Sequence, residues 1–145
     1  MAIMHQESRF SAIAKPPRTK LLWIIPWKRP STAYGYTQAL ASTWSHYKKD
    51  SGKYFVSRDN FEDAADFVGW YGYRAYKKAG ISRNDAERLY LAYHEGVGGY
   101  QRKTYLSKPW LISVAKKVKR QAARYQAQLN RCQNSLGSKP WWRFW

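Results

Sequence analysis

The feature of this sequence that most limits its fold is an apolar stripe with helical spacing near the C-terminal end. Apolar residues recur every three or four positions, and Pro109, which suits the first turn of a helix, stands just before them. The stripe consists of Leu111, Val114, Ala115, Val118, Ala122, Tyr125 and Leu129. The opposite face is basic and carries Lys116, Lys117, Lys119, Arg120 and Arg124. An amphipathic helix that lasts to about residue 131 must bury one face against other elements, so the pattern predicts a mainly α-helical domain.

Upstream segments show the same periodicity over shorter lengths. Residues 1–10 resemble the end of a helix, and residues 37–50 regain helical spacing. A helix over about residues 60–78 would be capped by Asp59 or Asn60. We expect its apolar face to run along Phe61, Ala64, Ala65, Val68, Tyr71 and Ala75.

The next predicted helix lies between a capping signal and a glycine cluster. Ser82 followed by Asp85 imitates a capping box, which would open a helix whose face runs through Ala86, Leu89, Tyr90 and Tyr93. A cluster of three glycines should then break that helix. The cluster consists of Gly96, Gly98 and Gly99. We therefore expect this helix to end close to Glu95.

An irregular segment separates the first helix from the others. Residues 16–32 hold four of the six prolines around an apolar run, which predicts a long loop with a short β-like piece. We divide the chain into one domain over residues 1–135 and a cationic, Trp-rich tail over residues 136–145. A helix that begins at Met1 is short for one with a core face, so we expect further turns upstream of it.

The charge balance is strongly basic. The chain carries 26 Lys and Arg residues against 9 Asp and Glu, a formal net charge of +17. Such a surface favours polyanions as partners, namely nucleic acid, anionic lipid or acidic wall polymers. The last acidic residue is Glu95, and the 50 positions after it hold 11 basic residues. This basic third is either an electrostatic docking surface or a solvated face that keeps the protein soluble.

Composition disfavours several kinds of site. The single cysteine, Cys132, rules out an intramolecular disulfide bond and a cysteine-based zinc site. The three histidines lack metal-ligand spacing, and the glycines that follow Glu95 fit neither a dinucleotide nor a phosphate-loop pattern. We therefore expect no metal and no cofactor. No apolar run reaches the ~18 residues that a membrane-spanning helix needs.

Two carboxylates stand apart from the acidic residues that suit helix starts. Glu7 is the only acidic residue in the first 49 positions, and its apolar surroundings would raise its pKa towards use as a general acid. The alternative is an exposed glutamate paired with Arg9 or Lys15. Glu95 stands at a predicted helix end, where a negative charge opposes the helix dipole.

Three short motifs, in this order, resemble those of soluble-lytic-transglycosylase (SLT) domains. The family shows Glu-Ser, then Gly-Leu-Met-Gln, then Ala-Tyr-Asn-Ala-Gly, and the similar runs here span residues 6–96. The runs are Gln6-Glu7-Ser8, Ala33-Tyr34-Gly35-Tyr36-Thr37-Gln38-Ala39-Leu40 and Ala92-Tyr93-His94-Glu95-Gly96. The resemblance implies a fold like that of goose-type lysozyme, a mainly α single domain with a long Pro- and Trp-containing loop and little β structure.

The resemblance implies cleavage of the β-1,4 bond between N-acetylmuramic acid (MurNAc) and N-acetylglucosamine (GlcNAc) in peptidoglycan. Glu7 matches the family's single catalytic glutamate, which protonates the leaving oxygen and then deprotonates the muramoyl 6-hydroxyl, giving a 1,6-anhydro product. The substrate's own N-acetyl group replaces a second carboxylate, which is an exception to the usual two-carboxylate scheme. The implied location is the bacterial cell envelope, periplasmic or associated with the outer membrane.

The resemblance also indicates residues that bind substrate. Ser8, Gln38 and Tyr93 match motif positions, although Ser8 has a simpler interpretation as a helix serine, Gln38 as a cap and Tyr93 as a core ring. Four further candidates are Tyr36, His94, Glu95 and Tyr105. The family also has an aromatic residue towards the C-terminal end of the domain, for which Tyr105 and Trp110 are the two candidates. Trp23 and Trp27 in the proline-rich loop would either stack on sugar rings or pack the loop against the domain.

Departures from the family pattern leave other functions open. His94-Glu95 replaces Asn-Ala, and a Glu95 carboxylate opposite Glu7 would position a water molecule and make the enzyme a lysozyme-type muramidase. A rival without catalysis is a nucleic-acid-binding module that uses the basic helix 109–131. Another is a membrane binder that uses the tail from Lys139 to Trp145, unless that tail folds over the domain. We expect peptidoglycan strands as the main partner, an anionic envelope surface as a second, and no specific nucleic acid.

Overall fold

The computed structural model describes residues 1–15, 20–21, 25–26 and 32–136 of the chain. Two short strands, β1 (Lys20–Leu21) and β2 (Ile25–Pro26), pair in antiparallel fashion. The helices are α1 (Ala2–Ser8), α2 (Ala41–Ser51), α3 (Phe61–Ala79), α4 (Ala86–Gln101) and α5 (Pro109–Leu136), with a 3-10 helix at Thr104–Ser107. The predicted mainly α-helical fold class with little β structure is confirmed. Trp23, Trp27 and the tail residues 137–145 lie outside the described residues.

The capping residues of α3 and α4 set where these helices begin. Asn60 caps α3 by accepting a 3.1 Å hydrogen bond from the backbone N–H of Asp63, as predicted. The capping box predicted for α4 is wrong, because Asp85 itself caps the helix through a 3.0 Å bond from the Arg88 N–H. The Ser82 hydroxyl instead accepts a bond from the Asn84 N–H within the preceding turn. Asp85 is the cap because it stands directly before Ala86, the first helical residue.

The core face of α3 differs from the predicted one. Its buried residues are Ala64, Phe67, Tyr71 and Ala75. Phe61 is 39% exposed and Ala65 is exposed, so both were wrongly placed in the core, and Phe67 was missed. The Phe61 ring instead meets the Tyr36 ring edge-on at 5.5 Å. Helix α3 is oriented so that Phe67 packs in an aromatic cluster with Trp44 and Tyr47. Tertiary packing determines this orientation, and the spacing of apolar residues within α3 does not.

Helix α4 contacts both α3 and α5 and borders the three clusters of the core. The first joins α1, α4 and α5 and consists of Ala2, Tyr90, Leu91, Leu111, Ala115 and Val118. The second joins α2, α3 and the residue before α2, and consists of Ala39, Trp44, Tyr47, Phe67 and Tyr71. The third joins α3 and α4 and consists of Ala75, Ile81 and Ala92. The predicted α5 stripe packs as far as Tyr125, whereas Leu129 is 51% exposed. No helix in the described ranges is long and apolar enough to cross a membrane.

The glycine cluster interrupts α4, as predicted. Gly96 has φ 73° and ψ 155°, a non-helical backbone conformation that glycine alone adopts readily. The predicted break after Glu95 is therefore confirmed, whereas the helical segment that follows it up to Gln101 was not predicted. The kink places Glu95 and Gly96 at the wall of a cleft.

Candidate active site

The three sequence motifs line one cleft with a volume of about 610 Å³. The last turn of α1 contributes Glu7, the loop over residues 33–40 contributes Gln38, and α4 contributes Tyr93, His94 and Glu95. Apolar walls come from the aromatic cluster of α2 and α3. The structure thus brings together five of the predicted site residues.

Glu7 is half-buried in this cleft. Burial raises the pKa of its carboxyl group, because desolvation penalises the charged form. A hydrogen bond from the Tyr90 hydroxyl and the electrostatic effect of His94 act in the opposite direction and are smaller. Within the described part of the chain, Glu7 forms no ion pair with Arg9 or Lys15. The exposed, paired glutamate considered above is therefore not what the structure contains.

Glu95 occupies the same cleft in a contrasting environment. The Lys108 ammonium group lies 2.8 Å from its Oε1 atom, and the Thr104 hydroxyl donates to Oε2. His94 Nδ1 lies 3.0 Å from Oε1, and the side chain is only 5% exposed. The bond from Lys108, followed by that from Thr104, lowers the pKa of Glu95 to about 2. Glu95 therefore stays ionised down to a lower pH than an ordinary glutamate, whereas Glu7 keeps its proton to a higher pH.

Three predicted site residues bind backbone carbonyl groups of the loop over residues 33–40. The Ser8 hydroxyl donates to the Tyr36 carbonyl at 2.8 Å, and the Tyr93 hydroxyl donates to the Thr37 carbonyl at 2.7 Å. The Gln38 amide donates within the loop to the Gly35 carbonyl at 2.9 Å, and also to Ala14 O at 2.8 Å. The bonds from Ser8 and Tyr93 hold the loop against α1 and α4, and those from Gln38 hold its turn and join it to Ala14.

A further anchor of this loop is Arg58, which the sequence analysis did not single out. Its guanidinium donates to the carbonyls of Thr32 at 2.8 Å and Ala39 at 2.9 Å. Its own carbonyl accepts a bond from the Tyr36 N–H at 3.2 Å. Gly35 packs so closely here that an added Cβ would lie 2.1 Å from the Arg58 carbonyl oxygen. Only glycine fits this position.

Three of the predicted aromatic residues in the described ranges, Tyr36, Tyr105 and Trp110, are not among those that line the cleft. Tyr36 contacts Phe61, and Tyr105 stacks on Tyr100 with ring centroids 5.4 Å apart. Trp110 lies closer to the site, because its ring meets the His94 ring at 5.2 Å. Within the described ranges, no group of three His, Cys, Asp or Glu side chains is placed to hold a metal ion.

Sequence reasoning placed Tyr90 only on the apolar face of a helix and gave Lys108 no role at the site. Tyr90 lowers the pKa of Glu7 against the larger effect of burial, and Lys108 is the largest cause of the lowered pKa of Glu95. Tyr90 precedes Tyr93 by three positions on α4, so helical spacing places the two rings on one side of the helix. This signal was present in the sequence. Lys108 gave no such signal, because it reaches Glu95 from the turn that follows the 3-10 helix.

A half-buried carboxyl group with a raised pKa, next to an anchored loop, can donate a proton to a substrate bound in the cleft. Comparison with known families agrees with this chemistry, since the model of the family described as "Transglycosylase SLT domain" matches residues 1–132. No curated protein and no solved structure matches the chain. The matched range includes all three motifs and most of α5. The chain therefore belongs to the family of transglycosylase SLT domains, which act on the peptidoglycan of the cell envelope.

Proposed function

We propose that this domain is a lytic transglycosylase, a glycan-cleaving lyase, that cuts the MurNAc-β-1,4-GlcNAc bond with Glu7 as its single acid and base. The observation that carries the proposal is the environment of Glu7, which is half-buried in the cleft with a raised pKa. A carboxyl group whose pKa is raised stays protonated closer to neutral pH and is suited to general-acid catalysis.

The proposed reaction uses Glu7 twice. Protonated Glu7 first donates its proton to the glycosidic oxygen as the bond between that oxygen and C1 of MurNAc breaks, and the N-acetyl oxygen of the same sugar stabilises C1. The Glu7 carboxylate then takes the proton of the 6-hydroxyl group while its oxygen forms a bond to C1. The product is 1,6-anhydro-MurNAc, no water is consumed, and Glu7 ends the cycle protonated.

Other predicted residues have supporting roles in this proposal. Ser8, Gln38 and Tyr93 act as positioning residues, because their polar atoms bind the loop over residues 33–40. His94 lines the cleft and is the candidate for direct substrate contact. Tyr36 and Tyr105 stay predictions.

A muramidase that uses water is the second candidate, because Glu95 lines the same cleft as Glu7. Two features of Glu95 favour the transglycosylase over it. Both carboxylate oxygens already accept hydrogen bonds. A carboxylate with a pKa of about 2 is also a weak base for activating water. The undescribed segments contain no Asp or Glu that would replace it.

The decisive experiment compares three proteins on bacterial murein sacculi: the intact chain, Glu7→Gln and the control Glu62→Gln. Glu62 is an exposed glutamate in the first turn of α3, so its substitution makes the same chemical change away from the cleft. Released muropeptides are weighed by mass spectrometry, since anhydro products are one water lighter than hydrolysed ones. We expect anhydro products from the intact chain and from Glu62→Gln, and none from Glu7→Gln.

Other outcomes of that experiment contradict the proposal in distinct ways. Hydrated products would identify a muramidase and make Glu95 the next residue to change. Anhydro products that persist in Glu7→Gln would remove Glu7 from the chemistry. An intact chain that releases nothing would favour a binding protein.

We also propose that α5 holds the enzyme against an anionic envelope surface in the periplasm or at the outer membrane. Its cations are exposed on the face opposite the buried stripe, and no acidic residue follows Glu95 in the sequence. Lys119 is partly neutralised by Glu87 at 3.2 Å. The remaining cations on this face are Lys116, Lys117, Arg120, Arg124 and Arg131. The tail adds three Trp residues and two cations from Lys139 onward, a composition that suits a lipid interface.

Co-sedimentation with vesicles tests this second proposal. We expect binding to vesicles with anionic phospholipid, little binding to neutral vesicles, and a marked loss in Arg120→Gln/Arg124→Gln at unchanged lytic activity. Tighter binding to single-stranded nucleic acid than to anionic vesicles at equal salt would favour the nucleic-acid module instead.

A further inference from the structure

A second cavity, of about 360 Å³, adjoins the cleft that holds Glu7. The two cavities share three lining residues: Thr43 of α2, Tyr71 of α3 and Gly96 at the kink of α4. The second cavity is therefore a side lobe of the cleft, and a ligand that occupies the cleft can extend into it. We call it the basic lobe.

The basic lobe is lined by basic side chains from two helices. Arg74 and Lys78 lie one turn apart on α3, and His46 faces them from α2. The Arg74 guanidinium is held over the Trp70 ring, 5.4 Å from its centroid. Two permanent cations thus converge on a cavity next to the candidate catalytic site.

None of these basic side chains forms an ion pair within the described part of the chain. No carboxylate lies within 4.0 Å of Arg74, Lys78 or His46 there. No acidic residue lines the lobe, and the undescribed segments carry none. Like charges one turn apart on a helix repel each other. A concave site with unbalanced positive charge concentrates anions.

We propose that the basic lobe binds a carboxylate group on the stem peptide of the substrate. The inference rests on the proposed function, because it requires a peptidoglycan strand in the adjoining cleft. GlcNAc is uncharged, and MurNAc carries no charge once its lactyl group is amide-linked to the peptide. The anionic groups of the strand are therefore the peptide carboxylates, and these match the lobe in charge. Arg74 has the geometry to bind a carboxylate through two parallel hydrogen bonds, and Lys78 adds a point charge.

This assignment gives the cleft a preference for strands that bear peptides. A peptide carboxylate in the lobe fixes which MurNAc unit lies beside Glu7, because the peptide is attached to that sugar ring. Denuded glycan lacks this anchor and would bind in several registers. The basic lobe would thus determine which glycosidic bond of the strand lies beside Glu7, and it would not change how that bond is cleaved.

The test measures binding on a Glu7→Gln background, so that it does not depend on turnover. The probe is a GlcNAc-MurNAc tetrasaccharide with stem tetrapeptides, and the matched probe carries carboxamides in place of every peptide carboxylate. The lobe variant is Arg74→Gln/Lys78→Gln. The control is Lys77→Gln/Arg83→Gln, which removes the same charge from two exposed side chains outside the lobe. Affinities come from isothermal titration at a fixed, low salt concentration.

We expect the lobe variant to bind the carboxylate probe about fivefold more weakly than the background protein, the effect of two partly exposed ion pairs. The control variant should bind the carboxylate probe as tightly as the background protein does. The amidated probe should bind the lobe variant and the background protein with equal affinity. The background protein alone should prefer the carboxylate probe by a similar factor, a comparison that holds even if the lobe variant does not fold.

Equal affinity of the background protein for the two probes would overturn the inference while leaving the proposed function intact. Equal weakening in the lobe variant and the control would overturn it as well, because general charge would then explain the effect. Failure of the background protein to bind either probe, together with no lysis of sacculi by the intact chain, would overturn the proposed function too.

Discussion

The Nζ atom of Lys108 lies 2.8 Å from the Oε1 atom of Glu95, and this contact fixes the charge of one of the two carboxyl groups in the cleft. It is the largest cause of the lowered pKa of Glu95. Burial moves the pKa of Glu7 the other way. One cleft therefore holds a carboxyl group whose pKa is raised and a second whose pKa is lowered. Two carboxyl groups with opposite pKa shifts are typical of acid–base enzymes, in which environment separates their roles.

Glu95→Gln should leave the product as 1,6-anhydro-MurNAc, because the proposed chemistry does not use Glu95 as a base. The variant should also be less stable at neutral pH by about 1 kcal/mol, the value for a partly exposed ion pair. The folded-state pKa is about 2, below the ordinary 4.5, so this stabilisation is present above pH 4.5 and is lost as the pH falls towards 2. Mass spectrometry of the products checks the predicted chemistry, and thermal unfolding at neutral and acidic pH checks the predicted loss of stability. A switch from hydrated to anhydro products would instead assign Glu95 to water activation.

Tyr90→Phe should move the descending limb of the pH–rate profile to higher pH. The Tyr90 hydroxyl stabilises the ionised form of Glu7, so its removal raises the pKa of Glu7 further. Because the proposed general acid must be protonated at the start of the cycle, activity persists to a higher pH. The measurement is kcat/KM against pH, and the control is Tyr76→Phe, which alters an exposed tyrosine of α3. A limb that moves to lower pH would show that Glu7 does not control it.

Glu7→Gln should be more stable than the intact chain at neutral pH while losing activity by at least about a hundredfold. The folded-state pKa of Glu7 is raised, so the intact chain has the full stabilising contribution of the protonated carboxyl only below the ordinary value of 4.5. That contribution is lost as the pH rises through the raised pKa, whereas glutamine carries no charge at any pH. Thermal unfolding across pH checks this sign. A variant that melts below the intact chain at neutral pH would indicate an important structural contact of the Glu7 carboxylate.

The helices that could be predicted from sequence are those whose signals are local. The stripe of α5, its first residue Pro109 and the Asn60 cap of α3 depend on residues within a few positions of one another. The predictions that failed depend on tertiary packing. Phe67 is in the core because an aromatic cluster with Trp44 and Tyr47 receives it, which no spacing within α3 alone reveals.

The candidate site also combines residues that local motifs could predict with contacts that depend on tertiary packing. The motifs placed Glu7, Gln38 and Tyr93 on one cleft, as a family pattern can do. The side chains that contact the two carboxyl groups and lower their pKa values could not be predicted in this way. Lys108 reaches Glu95 across 13 positions of the chain, and Tyr90 reaches Glu7 from another helix. Such contacts arise only when the helices are packed. The sequence therefore predicted the direction of the Glu7 pKa shift from its apolar neighbours, but not the ion pair that lowers the pKa of Glu95.

Gly35→Ala should destabilise the domain by about 2–4 kcal/mol and disturb the loop that Gln38, Ser8 and Tyr93 anchor. Gly35 has φ +76°, and its added Cβ would lie 2.1 Å from the Arg58 carbonyl oxygen, a backbone atom that cannot move away cheaply. The control is Gly80→Ala, which has a similar φ of +65° and no atom within 4 Å of the added Cβ, so it should cost only about 1 kcal/mol. Urea unfolding gives the two free energies, and the difference between them measures the close approach to Arg58. Since Gly35 also precedes Gln38 by one turn, a displaced loop should lower kcat in Gly35→Ala but not in Gly80→Ala. Equal costs and equal activities for the two variants would mean that the loop yields freely and that its anchoring does not position the catalytic cleft.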